Sequence, residues 1–534
     1  MEVDNRHPPR EWSGALDGIQ MYLGATGLAL ALFLTCLEAT IVSTSLVTIT
    51  DDLYDSDQSS WIITSYLLTY TGFLIIWSNF STIIGARQAT LASLLIFVVF
   101  SGGCAAANTL SQLVICRAFQ GLGGAGVYSL TLYALVRVFP YRHFDKASSF
   151  AGGISSLGLV LGPLLGGVIS NNGNWRWVFL YNVPVGVIAW GLIFVAIPVN
   201  FPEPSSSPRQ SIWTKTTIKL VSRIDIIGAT LVLASCSLII SALQEGNSDY
   251  AWDSGLVISF FVVSGIACIA FICWEWLIFE KDLAITPVFP WWLVKNRVFM
   301  GDVLGFFTSG LPLFVCIIEI PQRFQVVNGS SPLGAGVKLL SFSLSCPVGI
   351  IACSILAGRF TIPFCYIMLA GLVFQVTGLY LFSEIASTTH LWPGQFGYLV
   401  LAGLGVGLSI AAFYMIAPLV VEEQDQASGI GIGIQFRTLG GVLGISAATT
   451  ILNHYLRSRL AGSLDPHDLA AVLKTTESFK YLALETQNHV RDVYAAAYSM
   501  QIKLAGAFSA AQLLAIGMLW KRDNIKFQKP GSSR

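Results

Sequence analysis

Glu38 sits in Leu37-Glu38-Ala39-Thr40-Ile41-Val42, inside a long apolar run, and is the first residue in the chain that asks for a chemical explanation. A carboxylate there costs about 2.5 to 3.5 kcal/mol on insertion scales, so it is expected to be neutral or paired. Burial favours the uncharged form of a carboxyl group, which suits a side chain that takes up and releases a proton. The alternative is a carboxyl that only hydrogen-bonds neighbouring helices. Arg117, in Arg117-x-x-Gln120-Gly121, keeps its proton and needs an acid, carbonyls or water around it. It is expected to share a polar network with Glu38 and to tune its proton affinity, a purely structural role being the alternative. Arg437, Gln435 and Glu319 are the matching candidates in the second half of the chain. Gln120, Gln435 and Arg437 are expected on the wall of a substrate cavity, and Glu319, beside Pro321 and Gln322, is expected to face external water.

A second stretch is written in glycine. Residues Gly152 to Ser170 carry no charge, and Gly158, Gly162 and Gly166 recur every four residues, which places them on one helical face where a second backbone can come close. Pro163 removes a backbone donor and bends the helix between those contacts, and Gly167 follows directly after Gly166.

Of 534 residues, 54% are hydrophobic and 11% charged, less than half the charge of a soluble domain, which makes this a membrane chain. The formal net charge is zero, so nothing points to nucleic acid. No Gly-Lys dipeptide occurs, which removes an ATP-binding phosphate loop. Ten cysteines lie in or beside apolar runs without metal-ligand spacing and read as packing residues, and the six histidines are scattered. No catalytic triad, metal set or cofactor motif is found, so neither an enzyme nor a cofactor is expected.

Fourteen apolar runs of spanning length can be placed near 22 to 47, 60 to 81, 89 to 108, 111 to 137, 147 to 170, 176 to 198, 224 to 244, 256 to 279, 298 to 320, 334 to 357, 361 to 383, 396 to 420, 427 to 452 and 500 to 520. An even count puts both ends on one side. Lys and Arg concentrate in the segments that are inside if the N-terminus is inside, among them Arg87, Arg137, Arg142, Lys215, Lys219 and Arg359, so both termini are expected in the cytoplasm. The first twenty residues lack the apolar core of a secretory signal, and the first span is expected to direct insertion. The predicted organisation is a cytoplasmic segment (1–21), a six-helix half (22–198), a Pro- and Ser-rich linker (199–223), an extra helix pair (224–279), a second six-helix half (298–520) with a polar external loop (453–499), and a basic tail (521–534). Helical periodicity recurs in that loop at Asp468 to Lys474 and near Val490 to Ala497.

Seven stretches in order carry a resemblance. Leu37 to Val42, Arg117-x-x-Gln120-Gly121, Gly158-x-x-x-Gly162-Pro163-x-x-Gly166-Gly167, Trp175 to Gly186, Asp225-Ile226-Ile227-Gly228, Ser330 to Val337 and Phe436 to Gly444 resemble the signatures of the fourteen-helix drug:proton antiporter branch of the major facilitator superfamily, particularly its fungal toxin and multidrug efflux members. The resemblance implies an all-α membrane fold of two six-helix halves facing a central cavity, an extra helix pair between them, and alternating exposure of a midplane site. It also implies roles for Glu38 and Arg117 in proton coupling, for the helix-five "antiporter" glycines, and for Gly85 and Arg87 in the gate loop. That loop departs from the pattern: the family's acid is Thr82, and one of its two arginines is Ala86. Thr82 cannot supply the charge that the family places at that helix end, so gating must lean on other contacts or be looser.

The expected function is proton-driven export of a small hydrophobic or amphipathic compound, such as a toxin, secondary metabolite or drug, by a monomer in the plasma membrane, with the vacuolar membrane as the alternative site. The expected partners are the substrate, protons and the bilayer, with neither ATP nor nucleic acid. Proton-coupled uptake, for example of an iron chelate, and a non-transporting sensor of the same fold are the competing readings.

Overall fold

The computed structural model describes residues 16–42, 45, 49, 52–53, 60–140, 143–171, 174–199, 201, 225–247, 251–281, 285–385, 392–422, 425–465, 484–521 and 524–526. Most of the expected linker, the ends of the chain and the periodic stretch 468–474 lie outside the described residues. The helices are α1 (Gly18–Ile41), α2 (Ser60–Ile84), α3 (Ala86–Ala106), α4 (Leu110–Val138), α5 (Phe144–Asn171), α6 (Trp177–Leu180) and α7 (Asn182–Ala196). They continue with α8 (Ile226–Asn247), α9 (Gly255–Glu280), α10 (Trp291–Lys295), α11 (Arg297–Val326), α12 (Pro332–Gly358), α13 (Phe364–Ser383), α14 (Gln395–Val420), α15 (Gln426–Leu460) and α16 (Leu484–Leu519). No strand occurs among the described residues.

Among the described residues thirteen spans are long and apolar enough to cross a membrane, with α6 and α7 forming one of them. The expected fourteen are not reached by that measure. The helix that falls short is α4, whose 29 residues suffice in length but include Gln112, Arg117, Gln120 and four glycines. Arg117, Gln120 and the glycines face protein, since α4 packs along α1, α2 and α3, whereas Gln112 lies exposed near the helix start.

The packing repeats. In the first six spans α1 pairs with α5, α2 with α4, α3 with α4, and both α1 and α3 with α7. In the last six α11 pairs with α15, α12 with α14, α13 with α14, and both α11 and α13 with α16. The two sets meet where α5 lies on α12 and α2 on α15. The extra pair is tied within itself by Ser235 and Ser264, each hydroxyl donating to the other residue's carbonyl at 3.3 and 2.9 Å. It docks through α8 against α2 and α15, and so flanks the seam between the halves. The Asp225-x-x-Gly228 stretch opens α8: Asp225 Oδ1 accepts from the Gly228 N–H at 2.7 Å and from Trp274 Nε1 at 2.8 Å, so one carboxylate caps α8 and ties it to α9.

Glycine seams allow the closest pairings. A Cβ on Gly158 would lie 2.6 Å from Cys36 Cβ and 2.9 Å from the Phe33 carbonyl, and one on Gly162 would collide with Thr40 Oγ1. The four-residue spacing therefore seats α5 on α1, and Thr40 Oγ1 and Ser45 Oγ donate across the seam to the carbonyls of Leu159 and Gly166, both at 3.3 Å. Gly167 belongs to another face and would meet nothing within 4 Å. The same device recurs in the second half, where a Cβ on Gly440 or Gly444 of α15 would strike the Phe307 carbonyl or the Leu311 side chain of α11.

Two helices run past the spans expected from hydropathy. α15 continues to Leu460 and α16 begins at Leu484, so much of the expected 453–499 loop is helical. Leu456, Leu460, Val490, Tyr494 and Tyr498 are buried together in these extensions, against Val326 and Val327. Their amphipathic pattern buries one face against protein, which a search for continuous apolar length does not see.

The first and last described residues share one end of the bundle, here called the terminal end. The Leu16 N–H donates to the Val138 carbonyl at the end of α4, Arg297 Nη2 at the start of α11 donates to the Trp520 carbonyl after α16, and Asn79 near the end of α2 contacts Ser428 at the start of α15. At the opposite, far end, Asp52 Oδ2 accepts from Trp175 Nε1 at 2.8 Å and Arg176 Nη1 at 3.0 Å. These donors hold the Asp52 carboxyl below its ordinary value. A depressed carboxyl contributes stability above its unfolded value of about 4 and loses it as pH falls through the folded value. Melting curves of purified protein should therefore show a loss below pH of about 4 that Asp52→Asn reduces; an identical pH profile in both proteins would refute the tie.

A second comparison checks the α1–α5 seam. Gly162→Leu should lower stability by an amount typical of overpacking, about 1 to 3 kcal/mol, read as a fall in melting temperature, while Gly167→Ala should match wild type. Equal melting temperatures for all three would contradict the seam.

Candidate functional site

Glu38 and Arg117 form a salt bridge with almost no exposure of either side chain. Arg117 Nη1 donates both to Glu38 and, at 2.8 Å, to Gln120 Oε1, while its Nε donates to the Ile62 carbonyl at 3.1 Å. The second carboxylate oxygen of Glu38 accepts from Asn182 Nδ2 at 2.7 Å and from the Tyr181 hydroxyl at 3.4 Å. Gln120 Nε2 passes the network to Ser101 at 2.8 Å, and the guanidinium lies 4.3 Å from the Tyr66 ring centre and 5.5 Å from that of Phe179. Four helices thus converge on one carboxylate: α1 supplies it, α4 the cation, α7 the amide and α2 the aromatic face. Glu38 lies one turn from the end of α1 and Arg117 two turns from the start of α4, so the pair sits toward the far end.

A second cluster stands toward the middle of the bundle. A cavity opens between α4, α5, α11, α12, α14 and α15. Its walls are mostly aliphatic, and its polar groups are Tyr128, Tyr414, Ser155, Ser156 and Arg437. Arg437 Nη2 donates to the Tyr128 hydroxyl at 2.6 Å, and the Tyr128 and Tyr414 hydroxyls are 3.3 Å apart. Tyrosines join the clusters: Tyr66, under Arg117, stacks on Tyr70 at 5.5 Å between ring centres, and Tyr70 meets Tyr128 at 6.2 Å.

The structure unites Glu38, Arg117 and Gln120, and puts Arg437 on the cavity. Two placements correct the expectation of a shared cavity wall. Gln120 is consumed by Arg117, its neighbour one turn away, and does not line the cavity. Gln435, two residues from Arg437, is turned about 200° around α15 and faces the other way. There its Oε1 accepts from the Ile75 N–H at 3.2 Å and its Nε2 donates to Cys236 Sγ at 3.3 Å, joining α2, α15 and α8. A third correction concerns Glu319, expected to face water: it is 3% exposed, enclosed near the far end of α11 with Gln501 of α16 beside it. Proximity of Pro321 and Gln322 suggested a helix end, but α11 continues through Pro321 to Val326.

In the gate loop, Thr82 Oγ1 donates to the Asn79 carbonyl at 2.7 Å, and Gly85, at φ 101°, makes the turn that starts α3. Arg87 Nη2 donates to the Phe194 carbonyl at 2.7 Å and covers the Phe194 ring, so it fastens α3 to α7 within its own half. The contact between halves falls to Asn79, whose Nδ2 donates to the Val288 carbonyl at 2.7 Å and whose Oδ1 accepts from Ser428 Oγ at 2.5 Å. Neutral groups join α2 to α15 there.

Sequence reading passed over Asn182, Asn79, Tyr66, Tyr70, Tyr128 and Tyr414. A signal existed for some. Arg117, Gln120, Gly124 and Tyr128 follow helical spacing along one face of α4, and Tyr66 and Tyr70 lie one turn apart on α2.

Comparison with known proteins decides the family. A model of the Major Facilitator Superfamily matches residues 28–445. The chain belongs to that superfamily. It is 38% identical over 509 residues to the MFS-type transporter FPY5 of Fusarium mangiferae, covering 95% of this chain and 85% of that protein. It is 27% identical over 520 residues to the efflux pump aflT of Aspergillus parasiticus, covering 96% and 98% respectively. Its fold is similar to a bacterial homologue of the human lysosomal transporter Spinster, solved inward-facing and unoccupied, with a TM-score of 0.58 at 14% identity over 95% of this chain and 100% of that one. This superfamily member is a multi-pass membrane transporter and not an enzyme.

Removing one partner of a buried pair strands the other, at a cost of about 3 to 5 kcal/mol. Arg117→Gln should therefore melt well below wild type, and the double variant Glu38→Gln with Arg117→Gln should recover part of the loss. A single variant as stable as wild type would show that the charges do not depend on each other.

Proposed function

We propose that the protein is a proton-coupled efflux transporter that exports small hydrophobic or amphipathic compounds by alternating access. The observation that carries the reading is the Glu38 carboxylate, fully enclosed and held by Arg117, Asn182 and Tyr181, in a bundle whose halves also enclose an aliphatic cavity. Desolvated and paired, Glu38 is stable as an anion only while those donors stay in place. Shifts of α1, α4 and α7 against one another as the halves rock strain that arrangement, and a proton taken from the outer face compensates the lost contacts. The reverse motion restores the donors and expels the proton. Its position toward the far end suits this cycle if the terminal end is cytoplasmic, as the distribution of Lys and Arg suggests.

The cavity fits the other half of the exchange. Its walls offer dispersion contacts to an apolar body, and its few hydroxyls and one guanidinium orient a polar group. Export as the direction draws on the fungal efflux pumps among the relatives and on the α5 glycine motif seated against α1, the helix that carries Glu38. The plasma membrane is the proposed location, and the monomer the proposed working unit.

Cells expressing the protein and preloaded with a fluorescent amphipathic dye should retain less dye than controls. The difference should vanish with a protonophore and in Glu38→Gln. Normal, protonophore-sensitive export by Glu38→Gln would remove the proton role from that residue, and protonophore-insensitive export by wild type would remove proton coupling altogether.

A further inference from the structure

Arg437 and Arg117 are both buried in the bundle, yet they are partnered differently. Arg117 has a carboxylate, an amide and a carbonyl. Arg437 is 6% exposed, donates from Nη2 to one neutral hydroxyl, and has an enclosed Nε with no acceptor; among the described residues no carboxylate pairs with it. A guanidinium stays charged and presents five donors, so a buried one without a counter-ion is an electrostatic debt that some other species can settle. Arg437 lies on the cavity wall, and every other side chain there is neutral. The groups next to it, the Tyr128 and Tyr414 hydroxyls, are donors that can turn toward an oxygen anion. Both rings also lie 5.7 Å from the guanidinium, which delocalises its charge without neutralising it.

From this geometry we infer that the transported compound carries one ionised acidic group, a carboxylate or an ionised phenol or enol, on an otherwise apolar body, and that Arg437 is its counter-ion. The inference rests on reading this cavity as the substrate site and narrows the class of substrate. The acidic oxygens take the free guanidinium N–H groups in a two-point contact and accept from Tyr128, while the apolar body lies against Leu132, Leu159 and Ile350. A neutral ester of the same shape leaves the arginine unpaired and loses the selective part of the binding. Arg437 lies where both halves meet, since Tyr128 belongs to α4 and Tyr414 to α14, so a bound anion is gripped from both sides at once.

The test uses the purified full chain in detergent and three matched pairs of probes: 2-naphthoate, 4-phenylbenzoate and laurate, each against its methyl ester. Ligand-dependent shifts in melting temperature are recorded for wild type, Arg437→Lys and Arg437→Gln. Wild type should bind each acid at least tenfold more tightly than its ester, Arg437→Lys should keep part of that preference, and Arg437→Gln should lose it while binding the esters as wild type does. Without ligand, Arg437→Gln should melt no lower than wild type, because no protein carboxylate loses its partner. Esters that bind wild type as well as the acids, acids that produce no shift, or a preference that survives in Arg437→Gln would each overturn the inference. An arginine that merely braces the helices would show itself by a lower unliganded melting temperature in Arg437→Gln with the acid preference intact. Loss of cellular export with acid binding retained would sink the efflux reading and leave this one standing.

Discussion

A carboxylate and a guanidinium cannot be taken out of water separately, and the architecture of the first half of the chain follows from keeping Glu38 and Arg117 together. The charge on α1 is tolerable only because α4 presents Arg117 at the same depth, and α4 presents it correctly only because Gln120 and the Ile62 carbonyl fix the guanidinium. Asn182 then satisfies the remaining carboxylate oxygen from α7. Each partner belongs to a different helix, so a shift of any one helix is felt as an unsatisfied charge. That sensitivity makes the pair a suitable element for coupling a proton to a movement between halves.

Close helix approach makes that convergence possible. Gly158 and Gly162 let α5 lie on the same α1 that carries Glu38, and Gly440 and Gly444 let α15 lie on α11 while Arg437 projects into the cavity. The two repeats use the same packing device but differ in chemistry. The first half's arginine is paired, and the second half's arginine is left for something that the protein does not supply. Between them run Tyr66, Tyr70 and Tyr128, a packed path by which occupancy of the cavity can influence the pair. At the terminal end, the halves meet through Asn79, Ser428, Gln435 and the Ile75 amide, contacts between neutral groups that leave no ion pair to be separated.

Much of this was legible in the residue order, and the reasons for the rest are physical. Long apolar runs and glycine spacing are local signals, so the helices and the close-packing face of α5 could be read directly, while its partner α1 emerged only in the fold. Glu38 and Arg117 could be matched because buried charges demand partners and few were on offer. Asn182 escaped because a neutral amide at a helix start has many ordinary roles, and its value emerges only when folding carries it to Glu38 across 144 positions in sequence. Gln435 and Arg437 were grouped because they are neighbours in sequence, although two residues along a helix point to opposite sides. Glu319 was misplaced because a proline near a polar residue resembles a helix end, whereas α11 continues through it. The α15 extension escaped, and that of α16 was legible only as the periodicity near Val490 to Ala497, because their buried face looks at protein, and hydropathy over a bilayer length responds to lipid.

In the proposed cycle Glu38 exchanges protons while the rest of the machinery moves substrate. The most direct measurement compares two modes of transport in liposomes containing wild type or Glu38→Gln: exchange of labelled for unlabelled substrate at equal pH, and accumulation driven by a pH gradient. Glu38→Gln should retain exchange and lose gradient-driven accumulation. Accumulation at the wild-type level in Glu38→Gln would contradict that cycle.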